Sequence, residues 1–276
     1  MSKTTKLVVS LPQLPTRARD GHKGSFGTVL VVAGSPTMLG AAVLAATAAL
    51  RGGAGLVQVA LPPRLVSLLP LAVPCATTLG RGRDLDAALG KADAVVVGPG
   101  LGGGAATKSL VARVLRLARG PIVVDADGLN ALAPLSAARR RSLAGSRVVL
   151  TPHPGEAGRL LGTTSSAVQK DRDAALAELC ARSGATVVLK GAGTLVGDGT
   201  RCFHNRTGNP GMATGGTGDV LAGLLAALLA QGLAPFEAAC LAAHVHGKAG
   251  DRVARRLGEV GLIAADLPTA IAEELA

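Results

Sequence analysis

Asn209-Pro210-Gly211-Met212-Ala213-Thr214-Gly215-Gly216-Thr217-Gly218-Asp219 runs straight into an apolar stretch, Val220–Ala230. Glycines let a loop turn consecutive backbone N–H groups toward one point. The spacing predicts a helix over Asp219–Ala230, whose start adds unpaired N–H donors and the positive end of a dipole. Asp219 stands at that start. There it could cap the helix, or take a proton from a hydroxyl that attacks phosphorus. Three glycines in the four positions before it exceed what a cap needs. The loop therefore reads as an anion hole made by Gly215, Gly216, Thr217 and Gly218, with an acid on its rim.

Upstream, short β-branched runs alternate with longer helical patterns. Strands are expected at Thr28–Ala33, Leu56–Ala60, Ala94–Val97, Ile122–Val124, Arg147–Leu150 and Thr186–Lys190. A hairpin is expected from Thr194–Val196 and Arg201–His204. Several strands are unbroken apolar runs, the pattern of strands covered on both faces. Repeated β-then-α units predict an α/β fold, a mostly parallel sheet with helices on both faces. No linker or composition shift divides the chain, so it reads as a single domain.

The composition narrows the function. The chain has 276 residues, 48% hydrophobic and 17% charged, which is ample for a core and excludes a disordered chain. Aromatic residues make up only 1%, which argues against a platform that stacks nucleic-acid bases. Lys and Arg number 29 against 18 Asp and Glu, a net charge of +11. The basic residues are mostly scattered arginines, as on solvated helix faces; a field attracting a phosphate-rich substrate is a secondary reading. Val220–Ala230 is too short to span a bilayer, and Pro12 breaks Leu7–Leu14 as a signal sequence, so no membrane association is expected. The four cysteines form no C-x-x-C pair and are expected to be buried thiols in a reducing cytoplasm.

Further motifs sit at strand ends, where open α/β sheets bind ligands. Thr151-Pro152-His153-Pro154-Gly155-Glu156 is either a Pro-rich turn opening a helix, or a site where His153 donates to a substrate and Glu156 holds a magnesium-bound water. In Asp125-Ala126-Asp127-Gly128-Leu129-Asn130, two acids and an amide could orient a ligand; alternatively Asp127 or Asn130 caps a helix. Gly98-Pro99-Gly100-Leu101-Gly102-Gly103 matches a dinucleotide fingerprint, with Asp125 beyond it. It follows the fourth strand-like unit rather than the first, so a substrate-facing loop of another α/β fold is the better reading. Lys190-Gly191-Ala192-Gly193-Thr194 allows close approach by a nucleotide, or is a tight turn with an exposed lysine.

Together these elements resemble the ribokinase-like superfamily, and within it the ADP-dependent NAD(P)H-hydrate dehydratase family. The likeness runs from about Gly21 to about Asp251. It adds Gly21-His22-Lys23-Gly24-Ser25-Phe26-Gly27, Ala33-Gly34-Ser35, Gly40-Ala41 and Arg51–Val57 to the motifs above. The resemblance implies a ribokinase-like domain over residues 21–276 behind an N-terminal extension, 1–20, with no epimerase domain. It implies a hydro-lyase that repairs the S epimer of hydrated NADH or NADPH, using ADP and Mg2+ and releasing AMP and phosphate. Asp219 would be catalytic. Ala41, Gly102, His153 and Asp219 would bind the hydrate. Lys190, Gly191, Ala192, Gly193, Thr194 and Gly218 would bind the nucleotide. A cytoplasmic homo-oligomer, a tetramer, is implied as well. Vitamin and sugar kinases of this superfamily commonly show Asn-x-x-Glu where this chain has His153-x-x-Glu156, which suggests a different acceptor. The rival readings are such a small-molecule kinase, an NAD-dependent dehydrogenase resting on Gly98–Gly103, and a nucleotide binder without catalysis.

Overall fold

The computed structural model describes residues 6–143 and 145–276, without the side chain of Leu143. Residues 1–5 of the expected extension lie outside the described residues. The strands are β1 (Lys6–Leu7), β2 (Thr28–Val32), β3 (Leu56–Leu61), β4 (Thr77–Gly80), β5 (Ala94–Val97), β6 (Ile122–Val124), β7 (Val148–Leu150), β8 (Thr186–Leu189), β9 (Leu195–Gly197) and β10 (Arg201–His204). They form one sheet in the order β1-β10-β9-β8-β7-β6-β5-β2-β3-β4. Only β9 runs antiparallel to its neighbours, β8 and β10.

The period of two along each strand builds two cores. Val29, Val31, Val96 and Val123 face one side, against the helices Leu39–Arg51, Thr217–Ala230, Pro235–Leu257 and Leu267–Glu274. Leu30, Val32, Val95 and Val97 face the other, against Asp84–Lys91, Ala105–Leu117, Pro154–Leu161 and Arg172–Ser183. Thr217–Ala230 is apolar almost all round because it is enclosed: Val220 through Leu229 are all buried. Leu39–Arg51 lies close against it with alanines as its buried face. The contact is so tight that a Cβ at Gly223 would stand 2.1 Å from the Ala45 carbonyl oxygen.

The sheet order fixes where ligands can sit. The chain winds from β2 out through β3 and β4, then returns to pair β5 on the other side of β2. The loops after β2 and β5 therefore part in opposite directions, leaving a crevice at the carboxyl ends of the strands. They touch at its base, where Gly34 N donates to Pro99 O at 2.8 Å.

Two elements depart from the expected strands. β4 is short and partly exposed, and β1 has two residues, so neither showed a periodic signal. β1 pairs with β10, and Val8, Leu11 and Leu14 pack on the first core, so part of the N-terminal extension is joined to the fold. The cysteine expectation is corrected: Cys180, Cys202 and Cys240 are buried, but Cys75 is exposed. No described helix is long and apolar enough to cross a membrane.

Candidate active site

The loops after β5, β6, β7 and β8 converge with the start of helix Thr217–Ala230 at one end of the sheet. Asp125, directly after β6, is 1% exposed. Its Oδ1 accepts from Lys190 Nζ at 2.7 Å and from Thr151 Oγ1 at 2.7 Å. Gly98 makes room for this turn: it has φ +131°, and a Cβ there would fall 1.8 Å from the Asp125 carbonyl oxygen. Ala126 takes φ +48°, an unusual backbone for a residue with a Cβ. This strained turn sends Asp125 inward toward Lys190, and Asp127 back to Gly102, whose N–H it accepts at 2.8 Å. Asp127 thus ties two loops together, with Ala126 at the helix N-cap.

Glu156 is 5% exposed. It lies in the first turn of Pro154–Leu161, where its Oε2 accepts from His153 N at 2.8 Å. His153 Nδ1 accepts in return from Gly155 N and Glu156 N, a reciprocal cap. The turn is a helix cap, and Glu156 Oε2 also lies 3.9 Å from Lys190 Nζ. Because Nδ1 accepts, the neutral imidazole carries its proton on Nε2, which lies 3.5 Å from Glu156 Oε1. Burial and the nearby Lys190 and Arg159 charges lower the His153 pKa, favouring that neutral form.

Lys190 is not the exposed lysine of a tight turn. Its Nζ sits among Asp125, Glu156 and Asp219, and a Cβ at Gly218 would lie 3.2 Å from it. Burial disfavours its charge, but the three carboxylates outweigh burial and raise its pKa. The ammonium thus faces the positive end of a helix.

Asp219 needs one correction. The helix begins at Thr217, with Gly216 as N-cap at φ +95° and no side-chain cap bond. Asp219 is the third helical residue, so it is not the cap. Its carboxyl is pushed up to about 7, first by burial and then by the Asp125 charge, with Lys190 opposing. Thr217 is held from two sides. Its Oγ1 donates to Thr214 O at 2.8 Å, and its carbonyl lies 3.0 Å from His246 Nε2. The ring nitrogen must donate there, since a carbonyl only accepts. Burial pushes the His246 pKa down to about 4, so the ring is neutral. His246 carried no motif in the sequence, and only its place in a buried helix face could have marked it.

A cavity of about 620 Å³ opens beside this point. Lys190, Gly191, Ala192, Gly193, Thr194, Thr217 and Gly218 all line it, together with Asn205–Asn209. Its size suits a nucleotide. Ala41, Gly102 and His153 are not among its lining residues. Ala41 lies at the crevice between β2 and β5, where a Cβ at Gly100 would come within 2.9 Å of its own. The predicted residues thus fall into two groups, one lining this cavity and one outside it. A second cavity, about 590 Å³ and bordered by Arg116, Arg139 and Arg147, lies at the opposite end of the strands and takes none of them.

Comparison with known proteins agrees with this layout. A family model described as NAD(P)H-hydrate dehydratase matches residues 29–273. The ADP-dependent (S)-NAD(P)H-hydrate dehydratase of Neisseria meningitidis is 44% identical over 263 residues, covering 92% of this chain and 86% of that protein. The bifunctional NAD(P)H-hydrate repair enzyme of Moorella thermoacetica is 45% identical over 271 residues, covering 92% of this chain and 50% of that protein. The chain spans about half the length of such bifunctional relatives. The crystal structure of the ADP/ATP-dependent NAD(P)H-hydrate dehydratase of Bacillus subtilis, co-crystallised with ATP and Mg2+, superposes with a TM-score of 0.83 at 32% identity, covering 95% of this chain and 93% of that one. The fold is ribokinase-like, and the chain belongs to the NAD(P)H-hydrate dehydratase family.

Proposed function

We propose that this protein is a hydro-lyase that dehydrates the S epimer of hydrated NADH or NADPH, with ADP as phosphoryl donor. The carrying observation is Asp219: a carboxyl pushed up to about 7, one helical step from the Gly215–Gly218 amides and near Lys190. A base with a pKa near the working pH is well suited to proton transfer. ADP lies in the 620 Å³ cavity, with Lys190, Gly191, Ala192, Gly193, Thr194 and Gly218 around its AMP part. The hydrate lies toward Ala41, Gly102 and His153. Its C6 hydroxyl attacks the terminal phosphorus of ADP, Asp219 takes the hydroxyl proton, and AMP leaves. Lys190 and the backbone amides of Gly215, Gly216, Thr217 and Gly218 neutralise charge growing on the phosphoryl oxygens. The C6–O bond then breaks, pushed by the ring nitrogen's electron pair. Phosphate departs, C5 gives up a proton, and the double bond is restored.

The donor set fits Mg2+. Asp125, Glu156 and Asp219 offer hard carboxylate oxygens, yet Asp125 and Glu156 already accept hydrogen bonds from protein groups. That favours an ion held largely by waters and substrate phosphates, with Glu156 reaching it through water. Such an ion neutralises phosphate charge. The family resemblance also supports a cytoplasmic homotetramer; Leu257, Val260 and Ile263 give it exposed apolar surface to cover.

The test is direct. Hydrated NADH, ADP and Mg2+ should yield the reduced-nicotinamide absorbance, with AMP and phosphate released one for one. Accumulation of a phosphorylated product with no absorbance would make the protein a kinase instead. Equal or better kcat/KM with ATP would reject ADP as the preferred donor.

A further inference from the structure

Outside this site, among the described residues, one cluster combines three metal-binding side chains. Cys202 and His204 lie two apart on β10, so they share a face, while Phe203 between them packs into the opposite core. The helix Arg172–Ser183 packs on the Cys202 side and brings Asp173 in its first turn. His204 Nε2 lies 3.2 Å from Asp173 Oδ1. Donor atoms of all three residues lie within 4.8 Å of one another. A His–Asp ion pair explains the first distance but gives no reason for the thiol.

We propose that Asp173, Cys202 and His204 form a zinc site distinct from the active site. Ligand atoms about 2.0–2.1 Å from a tetrahedral Zn2+ stand roughly 3.3 Å apart, close to the His204–Asp173 separation. A thiolate, an imidazole and a carboxylate select Zn2+ over the oxygen-seeking Mg2+. Cys202 closes the site from within, while Asp173 and His204 reach solvent and leave the fourth position to water. Binding displaces the thiol proton, and the thiolate and carboxylate together balance the ion's charge.

The ligands are neighbours of residues that shape the nucleotide cavity. Arg172, beside Asp173, donates to the carbonyls of Leu189 at 2.9 Å and Lys190 at 3.3 Å. Asn205, beside His204, donates its N–H to Thr194 O at 2.9 Å. An ion joining Asp173 to His204 therefore clamps both ends of the Lys190–Thr194 wall. Zinc stabilises the protein by tying helix to hairpin, without entering the chemistry.

Co2+ is the probe, added to the tag-free full chain after chelator treatment. One equivalent should bind, giving a thiolate-to-cobalt charge-transfer band and the visible bands of tetrahedral cobalt, both removed by Zn2+. Zn2+ should also raise the melting temperature. Cys202→Ser should abolish the charge-transfer band, while Cys75→Ser leaves it intact. His204→Ala, at a half-exposed position that folding tolerates, should weaken binding by more than the ~10–100-fold typical of losing an outer partner. No charge-transfer band in the wild type overturns the proposal. So does a band that survives Cys202→Ser, or an affinity unchanged in His204→Ala.

Discussion

At the strand ends Asp125 is held by Lys190 and Thr151; a few ångströms away Asp219 enters no side-chain hydrogen bond or ion pair among the described residues. The first carboxylate belongs to a network of side chains that satisfy one another. The second belongs to a helix start built from backbone, where glycines supply donors and no side chain supplies a partner. Asp219 is pushed up to about 7, first by burial and then by the Asp125 charge, with Lys190 opposing. A carboxylate tied into side-chain bonds holds the site together, while one without such bonds is free to take a proton.

The strongest way to break this contrast is Asp219→Asn. It should lower kcat by about 10²–10⁴-fold, the usual effect of losing a general base. It should not weaken the fold, because Gly216 is the N-cap. The direction of its stability effect follows from linkage. The folded pKa of about 7 lies above the carboxyl's unfolded value, so the folded state binds this proton more tightly. Stability from that protonation is present at acid pH and declines as pH climbs toward about 7. At pH 8 the neutral asparagine escapes that loss, so the variant should melt at or above the wild-type temperature. Wild-type kcat, or a lower melting temperature at pH 8, would contradict the assignment.

Lys190→Met tests the other side. It strands Asp125 as an unpaired buried charge, and such losses cost about 3–5 kcal/mol. Adding Asp125→Asn removes the stranded charge, so the double variant should recover much of that stability in denaturant titration. Equal losses in the single and double variants would show that the pair does not act as a unit.

The pH profile offers a milder probe. The base must be ionised, so kcat/KM should rise with pH through an inflection near 7 and then level off. A rate flat from pH 5 to 9 would remove Asp219 as the proton acceptor. Smallest is His246→Leu, which removes the ring donor that the Thr217 carbonyl has besides the helix's own N–H, at a cost of about 0.5–1.5 kcal/mol. His246→Gln can still donate and should restore part of it; if glutamine matches leucine, the bond to Thr217 contributes nothing.

The same contrast marks what could be read from the chain. The backbone-built half was legible, because glycines and acids at strand ends leave a local signature. The loops at Gly98–Gly103, Lys190–Thr194 and Gly215–Asp219 all stand at the sheet's ligand edge. The side-chain-built half was not. Asp125 and Lys190 are 65 residues apart, and only the pairing of β6, β7 and β8 brings them to 2.7 Å. Asp219's place within the helix was missed because Thr217 and Gly218 look like loop residues, while the enclosed helix tolerates them. β1 and β4 were too short and too exposed to show a period.

The close seat of Leu39–Arg51 against Thr217–Ala230 has a mechanical consequence. Ala41 rides on the first helix and the Gly218 amide on the second, and their backbones press together at Ala45 and Gly223. Where Gly223 meets Ala45 no side chain separates the two backbones, so neither helix can slide without moving the other. On the proposed reading, the contact works as a fixed ruler, setting the gap between acceptor hydroxyl and donor phosphate before either substrate arrives. Alignment of this kind can supply several kcal/mol toward a transition state. It would then depend on alanines and a glycine deep in the core.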